Sequence, residues 1–310
     1  MPSTDQAIDK QKRTLEYSFW QICLLTLLII ALKTVQVYTF HEEDTGLLSN
    51  EFASRVVGIV SWAAAAYIAV RAWLLALAAD KAKYHFRIVL TPPVGFSMLL
   101  AGIFFLAQSI LDLTGFLKQL QEHPEIPYYE SALGPIAPLV CLLSFISAIC
   151  FFMMGYSVAV HRRKPSAWLC ILPIVWNVLC TVQMLYTYPL VVSIQSNASK
   201  TVTSVLSMLL LYVLLMQICG GDKRLFILFG GAALPGLILS ESLPYALLGL
   251  LGIRDESSNM PTLSMIGLAL CGFVLLFQVV RSAMIGLNRQ RRAGRSSANP
   301  EELEEELSGE

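Results

Sequence analysis

Glu241 stands in LPGLILSESLPY, Leu234 to Tyr245, with Ser240 and Ser242 on either side and apolar residues beyond them. A carboxylate in such a run cannot reach water easily. It must hold a proton, meet a cation or line a wet cavity. Lys33, in ALKTVQVYTF, Ala31 to Phe40, is the basic counterpart. At 1.5 Å per residue it lies roughly 7 Å outward of the middle of its apolar run, a depth similar to that of Glu241. Two explanations follow. Its alkyl stem carries the ammonium to the outer interface, or the ammonium pairs with Glu241.

Gln36 and Gln183 form a second set, because the triplet Thr-Val-Gln occurs at Thr34 to Gln36 and again at Thr181 to Gln183. An amide facing hydrocarbon loses its hydrogen bonds, so both point into a helix bundle. They clamp the two halves of the chain together, or they bind a solute. The candidate substrate-binding residues are therefore Glu241, Lys33, Gln36, Gln183, Ser240 and Ser242. No HExxH, GxSxG, Walker or GxGxxG pattern occurs, so the chemistry those motifs perform has no support. The seven cysteines include no CxxC pair and read as small apolar packing residues. No catalytic residue, cofactor, metal site or nucleic-acid partner is expected.

These side chains need a scaffold. The 310-residue chain is 55% hydrophobic and only 14% charged, against about 25% charged in ordinary soluble domains. A lipid bilayer is the natural solvent for such a composition. Eight segments reach the roughly 20 apolar residues that a membrane crossing requires: 17–40, 55–79, 87–116, 134–160, 167–191, 201–219, 224–252 and 261–287. With the N-terminus inside, 15 of the 22 basic residues fall on the cytoplasmic side. Only Arg55, Lys118, Lys200 and Arg254 fall outside, and Lys33, Arg71 and Arg281 lie within spans. That asymmetry predicts an integral protein of the cell membrane with both termini cytoplasmic.

The echo of Thr-Val-Gln extends further. A shift of 147 residues also aligns Cys23 with Cys170 and Leu32 with Leu179. Asp80-Lys81 and Asp222-Lys223 occupy equivalent connectors, and HRRK and NRQRR close the fourth and eighth spans. The expected fold is an all-α membrane protein of eight transmembrane helices in a tandem 4+4 parallel repeat. Residues 1–16 form a cytoplasmic tail, 17–160 and 161–287 the two four-helix repeats, and 288–310 a basic-then-acidic cytoplasmic tail. In the last of these, Asn299 could cap a short helix with Leu303 and Leu307 on one face; the segment is either a solvated tail or a docking element for a cytoplasmic partner.

Proline and glycine punctuate matching spans. Pro92 and Pro93 interrupt the third, and Gly230, Gly231, Pro235 and Pro244 the seventh. Broken helices at corresponding places in two halves point to a binding site in transporters, although membrane helices also use Gly and Pro for close packing. Ser61, Ala65 and Ala69 form a small-residue stripe on the second span, read as packing. Function is open among three classes. A small-solute carrier or channel, with its site in the outer half between the repeats, rests on the duplication, the interrupted spans and Glu241. A non-transporting sensor, regulatory or assembly protein rests on the short loops and acidic tail. An intramembrane enzyme rests only on Glu241, Lys33 and the serines lying in one layer.

Overall fold

The computed structural model describes residues 4–40, 52–81, 91–122, 136–187, 194–219, 224–250 and 261–298. They form eight helices: α1 (Thr4–Phe40), α2 (Phe52–Lys81), α3 (Pro92–Glu122), α4 (Ala137–Ala159), α5 (Trp168–Thr187), α6 (Ile194–Cys219), α7 (Arg224–Leu250) and α8 (Thr262–Ala298). Each is long and apolar enough to cross a membrane. Their outer faces carry large hydrophobic side chains such as Trp20, Leu24, Leu27, Ile59, Ile103 and Phe277. An apolar surface this extensive suits hydrocarbon far better than water and marks an integral membrane protein.

The helices differ from expectation at their ends. Helix α1 begins at Thr4, inside the segment read as a polar tail, and α8 continues to Ala298. Asp9 and Arg291 make an ion pair at 3.3 Å, so the start of α1 and the last part of α8 lie at the same end of the bundle. The capped helix expected from Asn299 lies outside the described residues.

Pro92 and Pro93 do not interrupt α3. They open it, in the first turn, where a missing N–H costs nothing and the fixed φ suits the helix. Helix α7 is likewise continuous, with Pro235 and Pro244 inside it. Its glycines and prolines are contact points. A Cβ on Gly230 would lie 2.7 Å from Val213 of α6, and one on Gly236 would lie 2.6 Å from the Thr26 hydroxyl of α1. Gly272 of α8 leaves room for the Pro235 ring. Gly231 is looser, with Gln217 its nearest neighbour at 3.9 Å. Span seven is therefore a packing hub, because small residues let three neighbours approach its backbone.

Packing follows from that hub. Helices α7 and α8 are the most enclosed, and two apolar cores meet on them. One core joins α3 to α6 with α7 and α8, around Phe105, which stacks on Phe151 and meets Trp176 edge-on. The other joins α1 and α2 to α7 and α8. On α1 its stripe is Ile8, Leu15, Ile22 and Ile29, a seven-residue spacing that keeps one face toward the partner helices. The hairpins α1–α2, α3–α4, α5–α6 and α7–α8 are each packed, yet α1 and α2 lean on α7 and not on α3 and α4.

Candidate functional site

Lys33 and Glu241, placed at similar depth by their positions in the sequence, meet in space. The Lys33 ammonium of α1 and the Glu241 carboxylate of α7 form an ion pair, their side chains 14% and 15% exposed. Lys33 therefore turns inward, and snorkelling to the interface does not describe it. The reason is energetic: a carboxylate amid apolar residues attracts a cation at its own depth more strongly than a distant interface does.

The pair stands on the wall of a cavity of about 300 Å³ between α1, α2, α6 and α7. Ile29 and Lys33 come from α1, and Ser61, Trp62, Ala65 and Ala66 from α2. Helix α6 adds Val202, Thr203 and Leu206, and α7 adds Leu237, Ser240 and Glu241. Most of this lining is apolar. The Ser61 hydroxyl is the exception that lacks a hydrogen-bond partner, although its residue is only 3% exposed. A buried hydroxyl without a partner costs on the order of 1–3 kcal/mol, so its place on a cavity wall calls for explanation.

The remaining candidates divide. Ser240 lines the cavity but donates to the carbonyl of Leu237, at 2.9 Å. Ser242 is buried and donates to Ile238, at 2.8 Å, serving its own helix. Pro244 has no N–H to give the carbonyl of Ser240, so the α7 ladder is interrupted one turn past the ion pair toward the C-terminal end of the helix. Gln36 does not join the halves. Its Nε2 donates to the Ser54 carbonyl at 2.9 Å and the Ser54 hydroxyl at 3.1 Å, tying α1 to the start of α2. Gln183 is elsewhere, beside a space of about 50 Å³ that Asp112, Cys141, Cys180 and Pro261 also line. The two glutamines are not brought together.

Two further polar features lie at the ends of the helices. Lys200, counted there among outer-side bases, is 2% exposed, with its ammonium 5.2 Å from the centre of the Tyr245 ring. It lies three residues before Thr203, and Tyr245 four after Glu241, so this cation–π contact sits one turn from the cavity, toward the N-terminal end of α6 and the C-terminal end of α7. Asp112, at the outer end of its span, accepts a hydrogen bond from Gln108 at 2.7 Å, and Gln108 in turn accepts from the Leu263 N–H that opens α8. Ser61 and Ala65, expected to pack, are cavity wall. Small residues produce either outcome, and only the neighbouring helix decides which.

Among the described residues no cluster of His, Cys, Asp and Glu could hold a metal ion. Comparison with protein-family models, with curated proteins and with solved structures gave no match for this chain.

Proposed function

We propose that this is an eight-span cell-membrane protein, its ends in the cytoplasm, that binds and carries a small solute. The observation that carries the reading is the Lys33–Glu241 pair on the wall of a 300 Å³ cavity. Charged groups at this depth are costly, and those that persist commonly line solute or ion paths. The volume lies at the lower end of the range for small-ligand sites. An ion pair that a ligand can loosen also gives two states of the bundle, one with α1 held to α7 and one without, which alternating access requires.

The orientation rests on charge. Asp9 and Arg291 mark the end at which α1 starts and α8 finishes, and Lys10, Lys12, Arg13 and Arg289 cluster near it. Basic residues flanking spans favour the cytoplasm. The proposed tandem repeat rests on the echoed sequence and not on the helix packing, since α1 and α2 pack on α7 whereas α5 and α6 do not pack along α3; one crossed relationship echoes it. Lys33, near the Thr-Val-Gln of α1, meets a carboxylate on the third helix of the second half. Cys180 and Gln183, at the Thr-Val-Gln of α5, share a small space with Asp112, on the third helix of the first half.

The test is tracer uptake into proteoliposomes, using a panel of small organic acids, amines, alcohols and amides. At least one should enter faster through the native protein than through Glu241→Gln. If no member of the panel distinguishes the two, the carrier reading fails. Tags at both ends should be accessible only from the cytoplasm, and one exposed outside would overturn the topology.

A further inference from the structure

We propose that the cavity is loaded sideways from the bilayer and takes a single-chain amphiphile with a neutral hydrogen-bonding end group, an alcohol or amide. This deepens the carrier reading and rests on it for the identity of the site. The first observation is the arrangement of the walls. Helices α2 and α6 both line the cavity and both pack on α7, yet neither packs along the other. The cavity is thus the gap between them, with α7 as its floor.

The second observation is the rim. Trp62 of α2, 52% exposed, and Val202 of α6 flank the gap and belong to the apolar outer surface. Counting residues from the middle of their apolar stretches places Glu241 and Thr203 roughly 7 and 10 Å outward of the midplane. At that depth the neighbouring medium is acyl chain, not water. The direct route from the outer aqueous side is occupied by buried Lys200 against Tyr245.

The third observation is what the lining lacks. Lys33 and Glu241 neutralise each other, so a charged end group would leave a surplus charge in an apolar space. Among the described lining residues, the buried polar atom left without a partner is the Ser61 hydroxyl. With the Ser61 side chain turned toward the cavity, a neutral group that donates and accepts would complete it, while Ile29, Ala65, Leu206 and Leu237 contact the chain. The volume is too small to enclose a two-chain lipid whole.

Ser61→Cys tests this in reconstituted vesicles, with modification at residue 61 read by peptide mass spectrometry. The probes are N-dodecylmaleimide and a sulfonated, membrane-impermeant maleimide. Val60→Cys, on the lipid-facing side at the same depth, calibrates partitioning. The alkyl reagent should label Ser61→Cys within about threefold of Val60→Cys, and the sulfonated reagent at least tenfold more slowly. Added 1-dodecanol should slow labelling at residue 61 but not at residue 60, and dodecanoate and dodecyltrimethylammonium should do neither. Comparable labelling by the sulfonated reagent, or equal competition by the charged amphiphiles, overturns the proposal. Thr203→Cys reports from the opposite wall if Ser61→Cys does not fold, and no labelling at either position also overturns it. Flux separates the two readings: alkyl labelling with the expected competition but no uptake supports this site while removing the carrier.

Discussion

Lys33 and Glu241 are 208 residues apart in the chain and meet as an ion pair that ties the first helix to the seventh. Because α7 also packs on α6 and α8, the pair connects the α1–α2 hairpin to the rest of the bundle. The same two side chains thus bear on stability and on the cavity they border.

Removing one charge leaves the other stranded at depth. Lys33→Met and Glu241→Leu should each destabilise the protein, by up to about 3 kcal/mol, toward the low end for buried pairs because both side chains keep some exposure. The exchanged pair Lys33→Glu with Glu241→Lys should recover more than half of that loss. Thermal unfolding in detergent, followed by the fraction remaining monodisperse, reads all three. Additive losses in the exchanged double variant would show that the two residues do not interact.

This pairing is legible in the sequence because both charges interrupt apolar runs at a computable depth. The eight helices are legible for the same reason: length and hydropathy suffice when lipid is the partner. The helix neighbours are not. Nothing in the α2 sequence says that its small residues meet α7 and a void near α6 in place of α3, so Ser61 and Ala65 read as ordinary packing. Trp62, Thr203 and Leu206 carry no signal at all, being common in any span. Proline misleads in kind: Pro92 and Pro93 look like breaks until the helix start is known, and Pro235 is matched by Gly272 on another helix. Gln36 needs a partner, as its burial demands, but nothing in the pattern singles out Ser54 on the next helix.

Gln36 makes two hydrogen bonds with buried Ser54. Gln36→Leu keeps the volume and removes both, so a loss of about 1–2 kcal/mol is expected. Chemical unfolding monitored by tryptophan fluorescence would register it, and an unchanged midpoint would mean the amide contributes nothing to the α1–α2 junction.

Two glycines of α3 make opposite predictions. A methyl on Gly95 would fall onto the backbone of Ala159 in α4, whereas a methyl on Gly115 would meet nothing within 4 Å. Gly95→Ala should therefore cost about 1–3 kcal/mol by forcing the helices apart. Gly115→Ala should be neutral or stabilise by up to about 1 kcal/mol through helix propensity. Melting temperatures should fall for Gly95→Ala and hold or rise for Gly115→Ala, and a shared fall would contradict the close α3–α4 contact as the cause.

Filling the cavity separates its role from that of the ion pair. Ala65 lies on the wall facing α6, and Ala63, two residues earlier on the same helix, faces outward. Phenylalanine at 65 enters existing space, so it need not strain the bundle in the way that overpacking a closed core does. Ala65→Phe should keep the melting temperature within a few degrees and lower solute uptake at least tenfold. Ala63→Phe adds the same ring to the lipid side and should leave uptake unchanged. Full uptake through Ala65→Phe, with the ring shown to occupy the cavity, would mean that the solute takes another path and that Lys33 and Glu241 serve the architecture alone.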